Sequence, residues 1–237
     1  MHIPVLTPAR LPMITTPTET LMPLLHLLRL ASPSLPVGAF AWSQGLEGAV
    51  ALGWVDGPET FADWVGAALD HGFAQQELPL LQRLIAADAA GRWRWNRLAL
   101  ALRETAELRE QDVQGGAALL RLAKATDIAA AAVWPDEEPI SQLTAYALHC
   151  AQLGIAHPEA AVGLVWSWLD NQLAAALKLG LFGQTRGQQL ALALGARVPA
   201  LIVRAAAVVD ADIGLSLPGQ VLASMLHETQ YSRLFRS

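Results

Sequence analysis

Apolar residues recur along this chain at helical spacing, and no convincing stretch alternates with the period of two that a half-buried strand requires. Leu21, Leu24, Leu25 and Leu28 form the first stripe. The helix they predict ends before Pro33, and Pro23 fits only its opening turn. An irregular segment, Ser32-Pro33-Ser34-Leu35-Pro36-Val37-Gly38, precedes a second helix over about 43–52, closed by Gly53. Asp56-Gly57-Pro58-Glu59 opens a third, with Pro58 suited to its first position and Phe61, Trp64, Val65, Ala68 and Leu69 as its core stripe. The pattern continues over about 75–90 and 93–124, where Trp95, Leu98, Leu102 and Ala106 share a face. Gly115-Gly116 interrupts that run, as a kink or a place of close packing. After the break Trp134-Pro135-Asp136-Glu137-Glu138-Pro139, residues 158–179 are apolar nearly all round, which predicts a central helix. A loop over 180–183, a helix over about 186–195, a helix from Pro199 to about Asp210 and a loop over 211–220 follow. The expected fold is all-α: one compact helical-bundle domain over 21–220, with a flexible N-terminal arm (1–20) and a C-terminal tail (221–237). The 134–139 break could instead divide two lobes, each with a thin core.

Composition narrows the function classes. A 53 % hydrophobic fraction in 237 residues supplies a sizeable core. The net charge is −5 and the only lysines are Lys124 and Lys178, which argues against general nucleic-acid binding. Cys150 is the sole cysteine, so no internal disulfide can form and a reducing cytoplasm is the simplest setting. Residues 1–20 are broken by Pro4, Pro8, Pro12 and Pro17 and do not resemble a signal peptide. The apolar 158–179 stretch carries Asp170, Asn171, Gln172 and Lys178, which favours a buried helix over a membrane span.

Catalytic motifs are sparse. Ala41-Trp42-Ser43-Gln44-Gly45 approaches the nucleophile-elbow pattern, which would make Ser43 a hydrolase serine, but no strand precedes it and Ser43 is better placed to begin a helix. No phosphate-cradling G-x-x-x-x-G-K-[ST] loop and no H-E-x-x-H occur. His149, Cys150 and His157 could suggest a soft-metal site for nickel, although a closed site needs more converging ligands. His26 and His71 stand alone on helices. Arg92-Trp93-Arg94-Trp95-Asn96-Arg97 mixes bases and aromatics as single-strand binders do, or is a helix start whose tryptophans turn inward. Gln44 and Glu47, and Asp170 to Gln172 with Lys178 and Gln184, are polar groups in apolar surroundings that must be paired inside the fold or offered to a partner.

The last residues, His227-Glu228-Thr229-Gln230-Tyr231-Ser232-Arg233-Leu234-Phe235-Arg236-Ser237, are rich in specific chemistry for a chain end. Tyr231, Leu234 and Phe235 need a surface to bury against, and a second protein is the expected one.

Leu30 to Gly38, with Phe40 and Ser43-Gln44-Gly45-Leu46-Glu47, resembles the N-terminal signature of the urease accessory protein UreF family. Glu104-Thr105-Ala106-Glu107-Leu108-Arg109 is similar to its middle segment, Asp170-Asn171-Gln172 with Lys178-Leu179 and Gly183-Gln184-Thr185 to its central helix and following loop, and 227–237 to its ending. Ala39, Ala41, Trp42, Gln114 and Leu226 depart from the usual residues. The resemblance implies a dimeric, cytoplasmic, all-α adaptor without catalysis of its own and without an intrinsic cofactor. Its partners would be UreD (also called UreH) and the GTPase UreG, and the complex would deliver nickel to the urease apoprotein with GTP hydrolysis; nickel and GTP would be handled by those partners. It further implies a UreD-binding tail over His227 to Arg236 and a UreG-facing surface near Gln44, Glu47, Lys178 and Gln184.

Overall fold

The central helix expected over 158–179 is α9 (His157–Lys178). Its buried stripe, Ala160, Ala161, Val165, Leu169, Gln172, Leu173 and Ala176, recurs every three or four residues. Pro158 occupies the first turn, Glu159 sits at the positive end of the helix dipole and Lys178 at the negative end. Around α9 pack α1 (Pro17–Leu30), α2 (Leu46–Ala51), α3 (Pro58–Ala67), α4 (Leu78–Ala86), α10 (Gln184–Gly195) and α11 (Val198–Ala206). The remaining helices are α5 (Ala89–Ala101), α6 (Ala106–Ala125), α7 (Ala129–Ala132), α8 (Gln142–Gln152) and α12 (Pro218–His227). This computed structural model describes residues 17–236; among them no strand occurs, and the fold is all-α. Most of the expected arm, residues 1–16, lies outside the described residues, and 17–20 already belong to α1.

One hydrophobic cluster joins residues from before and after the 134–139 break, so the halves share a core. Trp134 is buried and stacks on Trp93 at 4.0 Å between ring centroids. Lys124 Nζ donates to Trp134 O at 2.9 Å and closes that corner. Trp95 is buried while Arg94 and Arg97 stay exposed, which gives the Arg/Trp segment the packing role of a helix start.

The α6–α8 pair shows what Gly115-Gly116 is for. A Cβ on Gly116 would lie 2.0 Å from Ile140 O, whereas one on Gly115 would meet the Gln142 side chain at 2.5 Å. Close packing, not a kink, is the outcome, since α6 runs through both glycines. Ser141 caps α8 by accepting from Thr144 N at 3.0 Å. The neighbouring Gln142 N–H donates to Asp112 Oδ1 at 3.0 Å, so α6 also holds the start of α8.

Three features differ from the sequence pattern. The run expected over 93–124 is two helices, parted at 102–105, where Thr105 Oγ1 accepts from Leu108 N at 3.2 Å and starts α6. No glycine or proline marks that break. Ala68–Glu77 is a π-helix, continuous with α3 and α4. The expected loop over 211–220 already contains the start of α12, so a tail boundary at 221 falls inside a helix.

The stretch Gln184–Ala206 is long and apolar enough to cross a membrane by length and composition alone. Here it comprises α10 and α11, and Arg197 and Arg204 both pair with Asp70 of the π-helix.

His149 gives the fold a pH dependence. It is fully buried on α8, with Nε2 3.2 Å from Leu119 O, and burial holds its pKa below the ordinary histidine value. His157 is shifted the same way, again chiefly by burial. The unfolded chain therefore binds more protons as pH falls, and the stability conferred by the neutral rings is complete above about pH 6.5 and lost as pH drops through the lowered folded values. Urea midpoints measured from about pH 7.5 down to about pH 5 should fall, and His149→Gln should flatten the slope by up to about 1.4 kcal/mol per pH unit.

Candidate functional site

The site forms where α12 crosses α2. Gly45 enters α2 with φ +83°, a left-handed value that glycine adopts freely. A Cβ on Gly48 would stand 2.3 Å from Ala223 O, so only glycine allows the two backbones to meet. Ser43 Oγ accepts the Glu47 N–H at 3.2 Å, and Thr105 Oγ1 and Ser224 Oγ share a hydrogen bond of 2.8 Å that ties α12 to the start of α6.

These contacts sink His227 completely, between two carboxylates from distant parts of the sequence. Its Nε2 lies 3.1 Å from Glu47 Oε2, and its Nδ1 lies 3.0 Å from Glu107 Oε2. Burial pushes Glu107 above the usual carboxyl range, and the His227 hydrogen bond and the charges of His227 and Arg233 oppose that shift.

The chain beyond α12 folds back onto the same cluster. Glu47 accepts two backbone N–H groups, from Leu234 at 2.7 Å (Oε1) and from Phe235 at 2.8 Å (Oε2). Arg233 Nη1 donates to Glu107 Oε1 at 3.2 Å. Arg236 N–H donates to Ala41 O at 2.8 Å, and its guanidinium stands 4.7 Å from the centre of the Trp42 ring while donating to Gln114 and Glu110. Phe235 is buried, and Lys178 Nζ lies 4.4 Å from its ring centre and 3.4 Å from Leu234 O. Tyr231 is fully exposed and Leu234 half-exposed.

Of the proposed UreG-facing residues, the structure brings Glu47 and Lys178 to the tail itself. Glu47 is buried, with its carboxylate holding His227 and two tail amides, so it does not stand on a surface of its own. Lys178 is exposed over the tail's final turn. Gln44, at φ +56°, accepts from Trp168 Nε1 and supports the entry to α2, as does Asn171, which donates to Trp42 O at 3.0 Å. Gln184 is exposed at the start of α10 and supplies none of the hydrogen bonds named above. Among the tail residues, Glu228 Oε1 accepts from Ala106 N at 3.2 Å, Thr229 Oγ1 donates to Leu226 O, and Gln230 Nε2 donates to Ser232 O. Phe235 is thus not a free anchor in this conformation. Removing 227–237 would also take His227 out of the core and leave Glu47 and Glu107 without it, so that truncation cannot be expected to spare the fold. Sequence reasoning passed over Glu107, which lies in the middle segment that carried the resemblance, and Trp42, which stood out only as a departure from the usual residues.

The other candidates have structural duties. Ser43 is fully buried and caps α2 rather than presenting a nucleophile. Cys150 is buried, which pushes its thiol up to about 12, and no group of His, Cys, Asp and Glu among the described residues could hold a metal ion.

Residues 55–195 match the UreF family profile. A urease accessory protein UreF from Chromohalobacter salexigens is 43 % identical over 89 % of this chain and 93 % of its own length. Those from Alkalilimnicola ehrlichii and Pseudomonas putida are each 44 % identical over 90 % of this chain, covering 95 % and 97 % of their own lengths. With a buried clamp that joins its N-terminal, middle and C-terminal signatures, this chain belongs to the UreF family of urease accessory proteins.

Proposed function

We propose that this protein is the non-catalytic adaptor of urease maturation. In this reading it joins UreD (UreH) and the GTPase UreG in the cytoplasm, works as a homodimer, and supports GTP-dependent nickel insertion into the urease apoprotein. Nickel and GTP are cargo and substrate of the assembly, not resident groups of this chain. The carrying observation is the tail: its backbone is fixed by Glu47 while Tyr231 and Leu234 point away from the chain's own core. Leu222, Met225 and Leu226 of α12 are also exposed, so the latch presents an apolar surface without being ordered by a partner first. Preorganisation of this kind removes part of the entropy cost of binding, about 1–2 kcal/mol per residue of backbone. UreD capture is assigned to this latched tail, and UreG recruitment to the exposed Lys178 and Gln184.

Co-purification with UreD and UreG tests the reading. Tyr231→Ala combined with Leu234→Ala alters exposed side chains only, so it should leave the helical fold intact and sharply reduce UreD recovery. Undiminished capture by that double variant would remove the tail from the interface.

A further inference from the structure

Both ring nitrogens of His227 face carboxylate oxygens. Nε2 lies 3.1 Å from Glu47 Oε2, and Nδ1 lies 3.1 Å and 3.0 Å from Oε1 and Oε2 of Glu107. A neutral imidazole carries one N–H, and an ionised carboxylate carries none. With one hydrogen for two contacts, a nitrogen lone pair would press against carboxylate lone pairs. His227 is fully buried, so bulk water does not relieve that contact. The arrangement is satisfied only when two hydrogens are shared among the three groups.

The neighbours place those hydrogens. Both Glu47 oxygens already accept tail amides, from Leu234 at 2.7 Å and from Phe235 at 2.8 Å, so the hydrogen on that side belongs to Nε2. The second hydrogen bridges Nδ1 and Glu107. Burial raises Glu107 above the usual carboxyl range against the opposing His227 hydrogen bond and the charges of His227 and Arg233, the direction that a proton held at this contact requires. Two further charged groups face the cluster: Arg233 of the tail, on Glu107 Oε1 at 3.2 Å, and Glu228 after α12, whose charge adds to the rise in Glu107. Ser43, Thr105 and Ser224 contribute only hydroxyls. His227 also closes the last turn of α12, where the helix dipole favours positive charge.

We propose that the cluster of His227, Glu47 and Glu107 stores one proton beyond the single hydrogen of a neutral imidazole, and that this proton latches the tail. Both carboxylates hold tail donors, which links the two events. When the extra proton passes to solvent base, the cluster goes from one net negative charge to two, and one N···O contact loses its hydrogen. With the remaining hydrogen on Nε2, Glu107 must turn from Nδ1 and release Arg233. With it on Nδ1, Glu47 must turn and release the amides of Leu234 and Phe235. The docked tail thus goes with more bound protons than the open one. Docking is complete below the pH at which the cluster gives up its proton, and is lost as pH rises through that point. This is the opposite sense to His149, whose neutral ring loses its contribution as pH falls. The device lies within this chain. Its consequence for UreD, weaker capture at alkaline pH, rests on the preceding reading of the tail, whereas the test uses the isolated chain.

Amide hydrogen exchange of the full-length chain, corrected for intrinsic rates, reads the latch from about pH 6 to about pH 9. Protection of Leu234 and Phe235 should fall by up to about tenfold per pH unit once the proton leaves, while the core amides of α9 keep theirs. Glu107→Gln carries the missing hydrogen covalently: its amide nitrogen can donate to Nδ1 while its carbonyl still accepts from Arg233. Tail protection in that variant should stay within about twofold over the same range. A merely structural Glu107 would give the opposite, weaker protection with an unchanged pH slope. Should the variant fail to fold, spectra of nitrogen-15 histidine in the unaltered chain give a second reading. At neutral pH each ring nitrogen of His227 should carry or accept a hydrogen, and one of the two hydrogens should be lost in step with tail protection. A ring nitrogen that is bare at neutral pH, tail protection that holds or rises toward alkaline pH, or an unchanged slope in folded Glu107→Gln overturns the proposal.

Discussion

Replacing Glu47 with alanine should destabilise this protein by about 3–5 kcal/mol, the range for removing one partner of a buried ionic group. Domains of this kind have roughly 5–15 kcal/mol in all, so the loss is a large fraction of the total. Three partners lose their acceptor at once: His227 Nε2 and the amides of Leu234 and Phe235. His227 keeps Glu107, so the α2–α12 packing should persist while the tail undocks. Lys178 then loses the Phe235 ring beneath it. Denaturant titration measures the stability, and limited proteolysis reports the tail, which should become cleavable after Arg233 and Arg236. Glu47→Gln keeps the shape and one carbonyl acceptor, so its effect should be smaller, about 1–2 kcal/mol. Equal stability and equal tail protection in both variants would mean that Glu47 does not hold the tail. A drop in UreD capture that follows tail cleavage, variant by variant, would tie the latch to the adaptor role.

The second large effect is expected at Gly116. Alanine there places Cβ 2.0 Å from Ile140 O and 2.8 Å from the carbonyl carbons of Ile140 and Ser141. All three are backbone atoms just ahead of α8, so relief requires α6 and α8 to separate. That separation strains the Gln142-to-Asp112 hydrogen bond and with it the ion pair in which Arg103 Nε donates to Asp112 Oδ2 at 3.1 Å. A loss of about 3 kcal/mol or more is expected, at the upper end for overpacking. Gly115→Ala is the internal control. Its new Cβ would meet only the flexible Gln142 side chain, which can turn away. Alanine gains up to about 1 kcal/mol of helix propensity over glycine, so this variant should be near neutral. Thermal melts of the pair decide the matter. Similar destabilisation at both positions would point to a general need for helix flexibility, contrary to the close-packing role.

Much of the fold was legible because helix periodicity is a local property. The α9 stripe, the Pro58 start of α3 and the end of α1 before Pro33 all follow from residues within a few positions of each other. The break at 102–105 was not legible, because the Thr105 cap competes with an apolar pattern that continues across it. The π-helix was not legible either. Its residues fit an α-helical stripe as well, and the wider turn gains its partners from α11, more than a hundred residues further along the chain. The start of α12 looked like a loop because Pro218-Gly219 is turn chemistry, yet Pro218 serves as a first-turn residue once α2 supplies a surface at Gly48.

The sequence by itself determined the helical class, the family signatures and the chemical unusualness of the C-terminal residues. It did not determine what those residues touch. Glu47 and Lys178 read as one surface and the tail as another, because no local rule connects positions separated by most of the chain. Only the packing of α12 on α2 and α6 places His227 between Glu47 and Glu107 and returns Phe235 beneath Lys178. The physical reason is that a carboxylate in water needs no particular partner, whereas one enclosed by helices must find donors, and the tertiary fold decides which donors are within reach.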